Sequence, residues 1–184
     1  MKTFALVAGT VCISTMSTLA EPTIGQDYRI NFADIDGKTL STADGHMTTL
    51  VLVSKANVDK ARTVGEHTPD FCLGNPGHRM ITVVAFKSNH TGPVRAFLTS
   101  VMRRRVASEA KQLQARYERL KIAHDPRQDV FAVADFDGLI AAQLKSKWST
   151  DLFQVFIFGK NGELLKQWND VPSAEEMAAT IKEN

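Results

Sequence analysis

Few side chains in this sequence could do chemistry, and a cysteine is the strongest of them. The 184 residues contain two cysteines, Cys12 and Cys72. Cys72 lies in a stretch that Gly and Pro residues predict to be a loop, and loops carry a large share of functional residues. Its thiol could act in a one-cysteine peroxidase or form a mixed disulfide with another molecule.

The alternative for Cys72 is a buried and inert thiol. Phe71 and Leu73 flank it, and free cysteine is among the residues most often found inside proteins. Only His67, His78 and Arg79 are close enough in sequence to lower the pKa of the thiol. We favour burial and predict slow reaction with thiol reagents at neutral pH, and the reactive thiol remains the alternative.

Metal sites are the other chemistry that the residue types suggest. His67, Cys72 and His78 could be imagined as zinc ligands, but their spacing matches no standard site and a fourth ligand is missing. Asp135-Phe136-Asp137-Gly138 begins like a calcium loop but lacks the later oxygen ligands, which indicates a turn. The sequence therefore predicts no metal and no other cofactor.

Composition limits the classes of partner. Apolar residues make up 43% of the chain, enough for a folded core, and the formal net charge of +2 argues against a dedicated polyanion binder. Arg103–Arg105 could contact phosphate or an acidic partner. Because Glu109 and Glu118 lie on the same predicted helix, a solvated basic face is the simpler interpretation. Nucleic acid is not expected as a ligand.

Residues 1–20 have the pattern of a secretory signal. Lys2 is followed by an uncharged, mostly apolar run, and Thr18-Leu19-Ala20 offers small residues before a cleavage point at Glu21. A membrane anchor is the weaker alternative because Thr and Ser interrupt the run. A lipid-modified Cys12 is weaker still, since the residues before it do not fit that signal.

Cleavage would have three consequences. The mature chain would be a single domain of residues 21–184, without a stable membrane span and with Cys72 as its only cysteine. It would be periplasmic or secreted, in a compartment that favours disulfides.

The elements follow from apolar periodicity and turn residues. Leu50–Val53 and Arg79–Phe86 are apolar runs typical of buried strands, and Pro93–Ile122 has the spacing of a long amphipathic helix. Its apolar row is predicted to comprise Phe97, Val101, Val106, Ala110, Leu113, Tyr117 and Leu120.

The pairs Asp36-Gly37 and Asn161-Gly162 predict hairpins, with positive φ at both central residues of a type I′ turn. Further strands are predicted at Asp27–Phe32, Lys38–Ser41, Val130–Ala134, Phe153–Phe158 and Glu163–Trp168, and helices after Leu50–Val53, at Leu139–Leu144 and after Ser173.

This order of elements predicts a mixed sheet with helices on both faces. Three stretches resemble the thioredoxin superfamily, and within it the exported redoxins: Phe32–Leu40, Leu50–Val53 with the helix after it, and Val155–Gly162. The resemblance covers most of residues 21–184. It implies an α/β, thioredoxin-like three-layer fold with an N-terminal β-hairpin.

The resemblance also indicates where the chemistry of the family would be, and the expected residues are missing. Redoxins that exchange disulfides carry C-x-x-C where the helix follows the first core strand, because a helix N-terminus favours the thiolate. Here that place falls within Lys55–Ala61, which has no cysteine. The cis-proline of the family corresponds to Asp151–Gln154, which has no proline, and the P-x-x-x-T-x-x-C motif of peroxiredoxins is absent. The degenerate active-site region is expected to comprise Lys55, Ala56, Asn57, Val58, Asp59, Lys60, Ala61 and Phe153.

Two functional hypotheses follow from the sequence. The first is a non-catalytic, exported thioredoxin-fold module that binds a protein or a small ligand in the cell envelope. The second is a thiol-dependent redox enzyme, a peroxidase or oxidoreductase, that acts through Cys72 alone. Because both thiol motifs are absent, we favour the first.

Overall fold

A computed structural model describes residues 21–87 and 90–183 of the chain. The signal predicted for residues 1–20 lies outside these residues. The elements, in chain order, are β1 (Asn31–Ala33), β2 (Thr39–Ser41), β3 (Met47–Ser54), α1 (Val58–His67), β4 (His78–Ala85), α2 (Gly92–Leu120), β5 (Val130–Asp135), α3 (Leu139–Gln143), β6 (Phe153–Phe158), β7 (Leu164–Trp168) and α4 (Ala174–Lys182). Single 3₁₀ turns precede and follow α1, at Lys55–Asn57 and Asp70–Cys72.

Five strands form one mixed sheet in the order β5-β4-β3-β6-β7. β3, β4 and β5 are parallel, and β6 and β7 are antiparallel to their neighbours. β3 lies in the middle and is buried along its whole length, as its run of apolar residues predicts. β1 and β2 form a separate hairpin. The predicted architecture, a mixed sheet with helices on both faces and an N-terminal hairpin, is therefore confirmed.

α1, α2 and α4 cover one face of the sheet. The chain moves in one direction along the sheet from β3 to β4 to β5, and crossovers between parallel strands share one hand, so α1 and α2 must lie on the same face. Val64 of α1, Met102 of α2 and Met177 of α4 belong to one apolar cluster with Val53 and Val84 of the sheet. This arrangement places the two crossover helices, α1 and α2, side by side.

The opposite face carries the larger apolar cluster. The β1–β2 hairpin contributes Phe32 and Leu40, and α3 contributes Ile140. One short helix and one hairpin are enough to cover this face of the sheet. The evidence is that Leu50 and Leu52, whose side chains lie on it, are fully buried.

Both predicted hairpins are present, but their predicted turn geometry is wrong. A type I′ turn needs positive φ at two residues, whereas here only the glycine of each pair has it, with φ of 86° at Gly37 and 89° at Gly162. The loops are longer: Gly159 N donates to Glu163 O at 2.9 Å around the second one. Gly162 is required for a second reason, since a Cβ there would lie 2.7 Å from the Tyr28 carbonyl oxygen.

The apolar row predicted for α2 is only partly buried. Val106, Ala110 and Tyr117 are buried, but Phe97 is 68% exposed and Val101 is 46% exposed. Val101 and Val106 are five residues apart, which is about 140° around a helix of 3.6 residues per turn. Phe97 and Val101 therefore lie on the outer side, and in these turns Leu98 and Met102 pack towards the sheet instead. The prediction that one apolar face includes Phe97 and Val101 was therefore wrong.

Candidate functional site

The predicted degenerate site comes together where β3 ends and α1 begins. Ser54 N donates to the Leu152 carbonyl at 2.9 Å, and Asn57 Nδ2 donates to the same oxygen at 3.3 Å. The Lys60 ammonium lies 5.1 Å from the centre of the Phe153 ring. Side chains of the segment Lys55–Ala61 therefore contact Leu152 and Phe153 at the start of β6, and the assignment of this place as a degenerate active site stays a prediction.

This place holds no group suited to nucleophilic chemistry. The hydroxyl nearest to the helix start belongs to Ser54, which is buried and donates to the Thr150 carbonyl at 2.6 Å. No base lies next to it in these contacts, so nothing activates the hydroxyl. Lys55 and Ala56 are exposed, and the peptide bonds of the described residues include no cis bond. Lys55–Ala61 thus contains no cysteine, and Asp151–Gln154 contains no proline.

Cys72 lies at the other end of α1, in the 3₁₀ turn after the helix. Its side chain is 4% exposed and packs with Met47, Ile157 and Ile181. Burial raises the pKa of the thiol to about 11, although the Arg116 guanidinium lowers it in part. The thiol is therefore protonated at neutral pH. The predicted burial of Cys72 is confirmed, and its slow reaction with thiol reagents stays a prediction.

Arg116 of α2 closes this end of α1, a role that the sequence did not reveal. The guanidinium donates to the carbonyls of Gly65 at 3.4 Å, Glu66 at 3.3 Å and Thr68 at 2.6 Å, and pairs with Asp70. Carbonyls at a helix C-terminus lack partners within the helix and carry partial negative charge. One cation from α2 therefore serves as the C-terminal cap of α1.

A polar cluster lies beside Cys72 at the same end of the molecule. The Tyr117 hydroxyl donates to Asp129 and accepts from Gly74 N at 2.9 Å, while His124 Nε2 lies 3.1 Å from Asp129. Burial raises the pKa of Tyr117. These hydrogen bonds connect α2 to the loops that contain Gly74 and Asp129, and this structural role explains why the polar groups lie here.

The histidines considered as zinc ligands do not converge. His67 Nδ1 lies 2.7 Å from the Pro172 carbonyl, whereas His78 Nε2 lies 3.3 Å from the Thr49 hydroxyl. Burial lowers the pKa of His78 to about 4, so it is neutral at pH 7. Residues 21–87 and 90–183 contain no group of three or more His, Cys, Asp and Glu suited to a metal ion.

A cleft between α1 and α2 runs from the degenerate site towards Cys72. A cavity of about 290 Å³ is bounded by Val58 and Ala61 of α1, Met80 of β4 and Leu113 of α2. A second cavity of about 170 Å³ extends it towards Phe86. We refer to the two spaces together as the α1–α2 cleft.

The two cavities adjoin because they share part of their walls. Val58, Thr82, Glu109 and Phe131 border both. Together the two cavities run along β4 from His78 to Val84 and reach Phe86. With a rise of about 3.3 Å per residue in a strand, the cleft is roughly 25 Å long. Sequence analysis missed it, since its walls come from residues far apart in the chain.

Two cationic side chains of α2 bridge the cleft. Arg116 is the first, and Arg105 is the second, with its guanidinium 2.5 Å from the Asp59 carboxylate in the first turn of α1. Asp59 is 92% exposed and Arg105 is 41% exposed, so this ion pair is screened by water and contributes little. The bridge at Arg116 has three carbonyl partners as well as a carboxylate. One end of the cleft is therefore tied much more firmly than the other.

Comparison with solved structures establishes the fold. The DsbF protein of Mycobacterium tuberculosis aligns with a TM-score of 0.53 and 12% identity, covering 85% of this chain and 95% of that one. The thiol:disulfide interchange protein DsbE of Chlorobium tepidum aligns with a TM-score of 0.53 and 12% identity, covering 88% and 96%. An exposed lipoprotein thioredoxin of Streptococcus pneumoniae aligns with a TM-score of 0.51 and 14% identity, covering 85% and 99%.

The chain thus has the thioredoxin fold, and the predicted resemblance to that superfamily is confirmed at this level. Identities of 12–14% show the fold alone. No family model matches the sequence, and no curated protein matches it. Among the described residues, no helix is long and apolar enough to span a membrane.

Proposed function

We propose that this chain is a non-catalytic thioredoxin-fold binding module, and that its ligand is a small, mainly apolar molecule held in the α1–α2 cleft. The observation that carries the proposal is the cleft itself, with cavities of about 290 Å³ and 170 Å³ side by side. Protein interiors usually leave few voids larger than a water molecule. Apolar clefts of a few hundred Å³ are typical of small-molecule sites.

The residues around the cleft fit binding better than catalysis. Its opening at the start of α1 lies within Lys55–Ala61, where the resemblance places the thiols of disulfide-exchanging redoxins and where this chain has no cysteine. The acidic and basic groups on its walls are largely paired with each other, as Glu109 is with Arg105 at 3.1 Å. Such walls can enclose an apolar molecule and orient a polar end, but they supply no activated nucleophile.

A thiol enzyme acting through Cys72 is the second candidate, and one observation favours it. Cys72 borders the larger cavity, so a ligand in the cleft could come near its sulfur. Against this, the pKa of about 11 leaves very little thiolate at pH 7, and thiolate is the nucleophile. Binding without chemistry therefore ranks first.

The proposal also places the mature protein in the cell envelope or outside the cell. It rests on the signal-like composition of residues 1–20 and on the cleavage point before Glu21. Mass spectrometry of the protein recovered from the envelope and medium of a producing cell should find a chain that begins near Glu21. A chain retained in the cytoplasm with Met1 intact would contradict export.

The cleft can be tested with N-phenyl-1-naphthylamine, an uncharged apolar fluorophore, and with a variant that fills the space. Gly65 lies on α1, and a Cβ there would be 3.6 Å from Met80 Sδ, an ordinary contact. Gly65→Leu should therefore fold and extend its side chain into the cleft. We expect its affinity for the probe to fall about tenfold or more, a difference of roughly 1.4 kcal/mol.

Ala142→Leu is the matched control, because Ala142 is exposed on α3, away from the cleft. It should bind the probe as the wild type does. Equal affinity of the wild type and Gly65→Leu, or no binding by the wild type, would overturn the cleft as the site.

Catalysis is tested separately by insulin reduction and peroxide consumption, with the wild type and Cys72→Ser. Both proteins should be inactive in both assays. Turnover that the wild type shows and Cys72→Ser lacks would establish the thiol enzyme instead.

A further inference from the structure

The outer side of α2 carries a row of side chains whose composition changes along the helix. At 3.6 residues per turn, positions three and four apart share one face. The buried residues Val106, Ala110 and Tyr117 mark the inner side of the helix. The row on the opposite side, which we call the outer stripe, is Val94, Phe97, Val101, Arg104, Ser108, Lys111, Ala115 and Arg119, and all eight side chains are exposed.

The first part of the outer stripe is apolar. Phe97 is 68% exposed, Val101 46% and Val94 43%. Single exposed apolar residues are normal on protein surfaces, but three at successive steps of one helix face form a contiguous patch. Such patches mark surfaces that contact a partner or a membrane.

The second part of the outer stripe is cationic. α2 contains seven Arg and Lys and two Glu, a net charge of +5, in a chain whose formal net charge is +2. Four of the seven cations, at 95, 103, 105 and 116, form ion pairs with carboxylates. The other three are Arg104, Lys111 and Arg119, for which the described residues offer no ion pair. These three are the cations of the outer stripe, so the α2 cations without an ion pair among the described residues all lie on its outer side.

We propose that the outer stripe of α2 binds the surface of an anionic membrane. Phe97 and the two valines enter the boundary between headgroups and acyl chains, while Arg104, Lys111 and Arg119 contact lipid phosphates. The stripe spans about 38 Å at 1.5 Å per residue and is one straight convex row. A flat, uniformly charged surface can meet its whole length at once, whereas a protein partner would need a long complementary groove.

Co-sedimentation of the full chain with vesicles tests the proposal. We expect vesicles with 30% phosphatidylglycerol in phosphatidylethanolamine to bind at least about tenfold more protein than phosphatidylcholine vesicles, with loss of binding in 0.5 M salt. Arg104→Glu with Lys111→Glu should lower the partition coefficient about tenfold or more. Phe97→Ser should lower it about threefold or more.

Two controls separate the stripe from general charge. Lys147→Glu with Lys160→Glu makes the same change in net charge at exposed loop positions, and should leave binding within about twofold. Equal losses in the two double variants, or no loss in either, would overturn the proposal. No preference for the anionic vesicles would also overturn it.

A local measurement guards against binding through other segments of the chain. Phe97→Trp should show fluorescence quenched by brominated acyl chains, beyond that of the wild type, whereas Ala107→Trp, exposed on the same helix but off the stripe, should not. Equal quenching of the two variants would overturn the proposal. Concentration-dependent dimers that Phe97→Ser abolishes, without lipid binding, would instead assign the stripe to contact between copies of this chain.

Discussion

The two ends of α1 differ in two properties that a thiol-exchanging protein would need at one place. One end is exposed to solvent, and the thiol lies beyond the other. The start of the helix is open to solvent and has the position and exposure that suit a reactive group, but it carries Lys55, Ala56 and Asn57. The end of the helix is followed by the thiol of Cys72, which is buried, and by carbonyls that Arg116 covers. The comparison predicts that the reactivity of a thiol depends on where it lies along a helix.

Environment explains the difference between these ends. A helix N-terminus presents unpaired N–H groups and partial positive charge, which stabilise a thiolate. Cys72 is buried among apolar side chains after a helix C-terminus, where the thiolate has little stabilisation. The fold therefore places Cys72 where its surroundings favour the protonated thiol.

The largest expected effect comes from moving the thiol from one end of α1 to the other. Ala56→Cys in a Cys72→Ser background should react with iodoacetamide at pH 7 at least about 100-fold faster than Cys72 in the wild type. A pKa of about 11 instead of 9.0 lowers the thiolate fraction about 100-fold, and burial restricts access further. Mass spectrometry of the peptides reports the rate at each site.

The pH dependence of labelling gives the check on this prediction. The rate at Cys72 should rise about tenfold per pH unit through neutral pH and level off only near 11, because the thiolate is the reacting form. A rate at Cys72 that levels off near pH 8, or equals that of the introduced thiol, would contradict the comparison.

A smaller effect is expected from removing the cation that closes the end of α1. Arg116→Ala removes the guanidinium donor from the carbonyls of Gly65, Glu66 and Thr68 and the ion-pair partner from Asp70. We expect the free energy of unfolding in urea to fall by roughly 2–3 kcal/mol. Arg104→Ala, which removes an exposed cation a little more than three turns earlier on α2, should change it by less than about 0.5 kcal/mol. Similar losses in both variants would show that the end of α1 is not held in this way.

The smallest effect is expected at the start of α1. Ser54→Ala removes the 2.6 Å hydrogen bond to the Thr150 carbonyl and should cost about 1 kcal/mol of unfolding free energy. Ser100→Ala, on an exposed helical position, should leave stability unchanged or slightly raised. If Ser54→Ala cost more than Arg116→Ala, the start would be the firmer end of the helix and the comparison would be reversed.

Elements whose signals are local could be predicted from the sequence. Phe153–Phe158 is a strand with the predicted bounds, because its apolar run ends at a glycine turn. Ser173 caps α4 and forms a capping box with Glu176, as its position before a helical pattern indicates. Turn type could not be predicted, since Asp-Gly and Asn-Gly suit both the two-residue loop and the longer loop that forms.

Features that depend on distant contacts could not be predicted. The apolar residues of α2 change sides of the helix at the five-residue step from Val101 to Val106, and which side is buried depends on how the helix packs on the sheet. The degenerate site was located through the resemblance, because its two segments lie about 95 residues apart. The cap from Arg116 to α1 and the α1–α2 cleft had no signal in the sequence, since each is formed by side chains from several elements.

The unequal bridges between α1 and α2 determine how a molecule would enter and leave the space between the helices. The Asp59–Arg105 contact lies in water and can part and reform at little cost, whereas the guanidinium at Arg116 would have to abandon four acceptors together. We therefore expect a molecule to enter and leave at the Asp59 end. Cys72, the one cysteine among the described residues, borders the larger cavity towards the Arg116 end, so an oxidant that entered beside Asp59 would have to cross the cleft to reach its thiol.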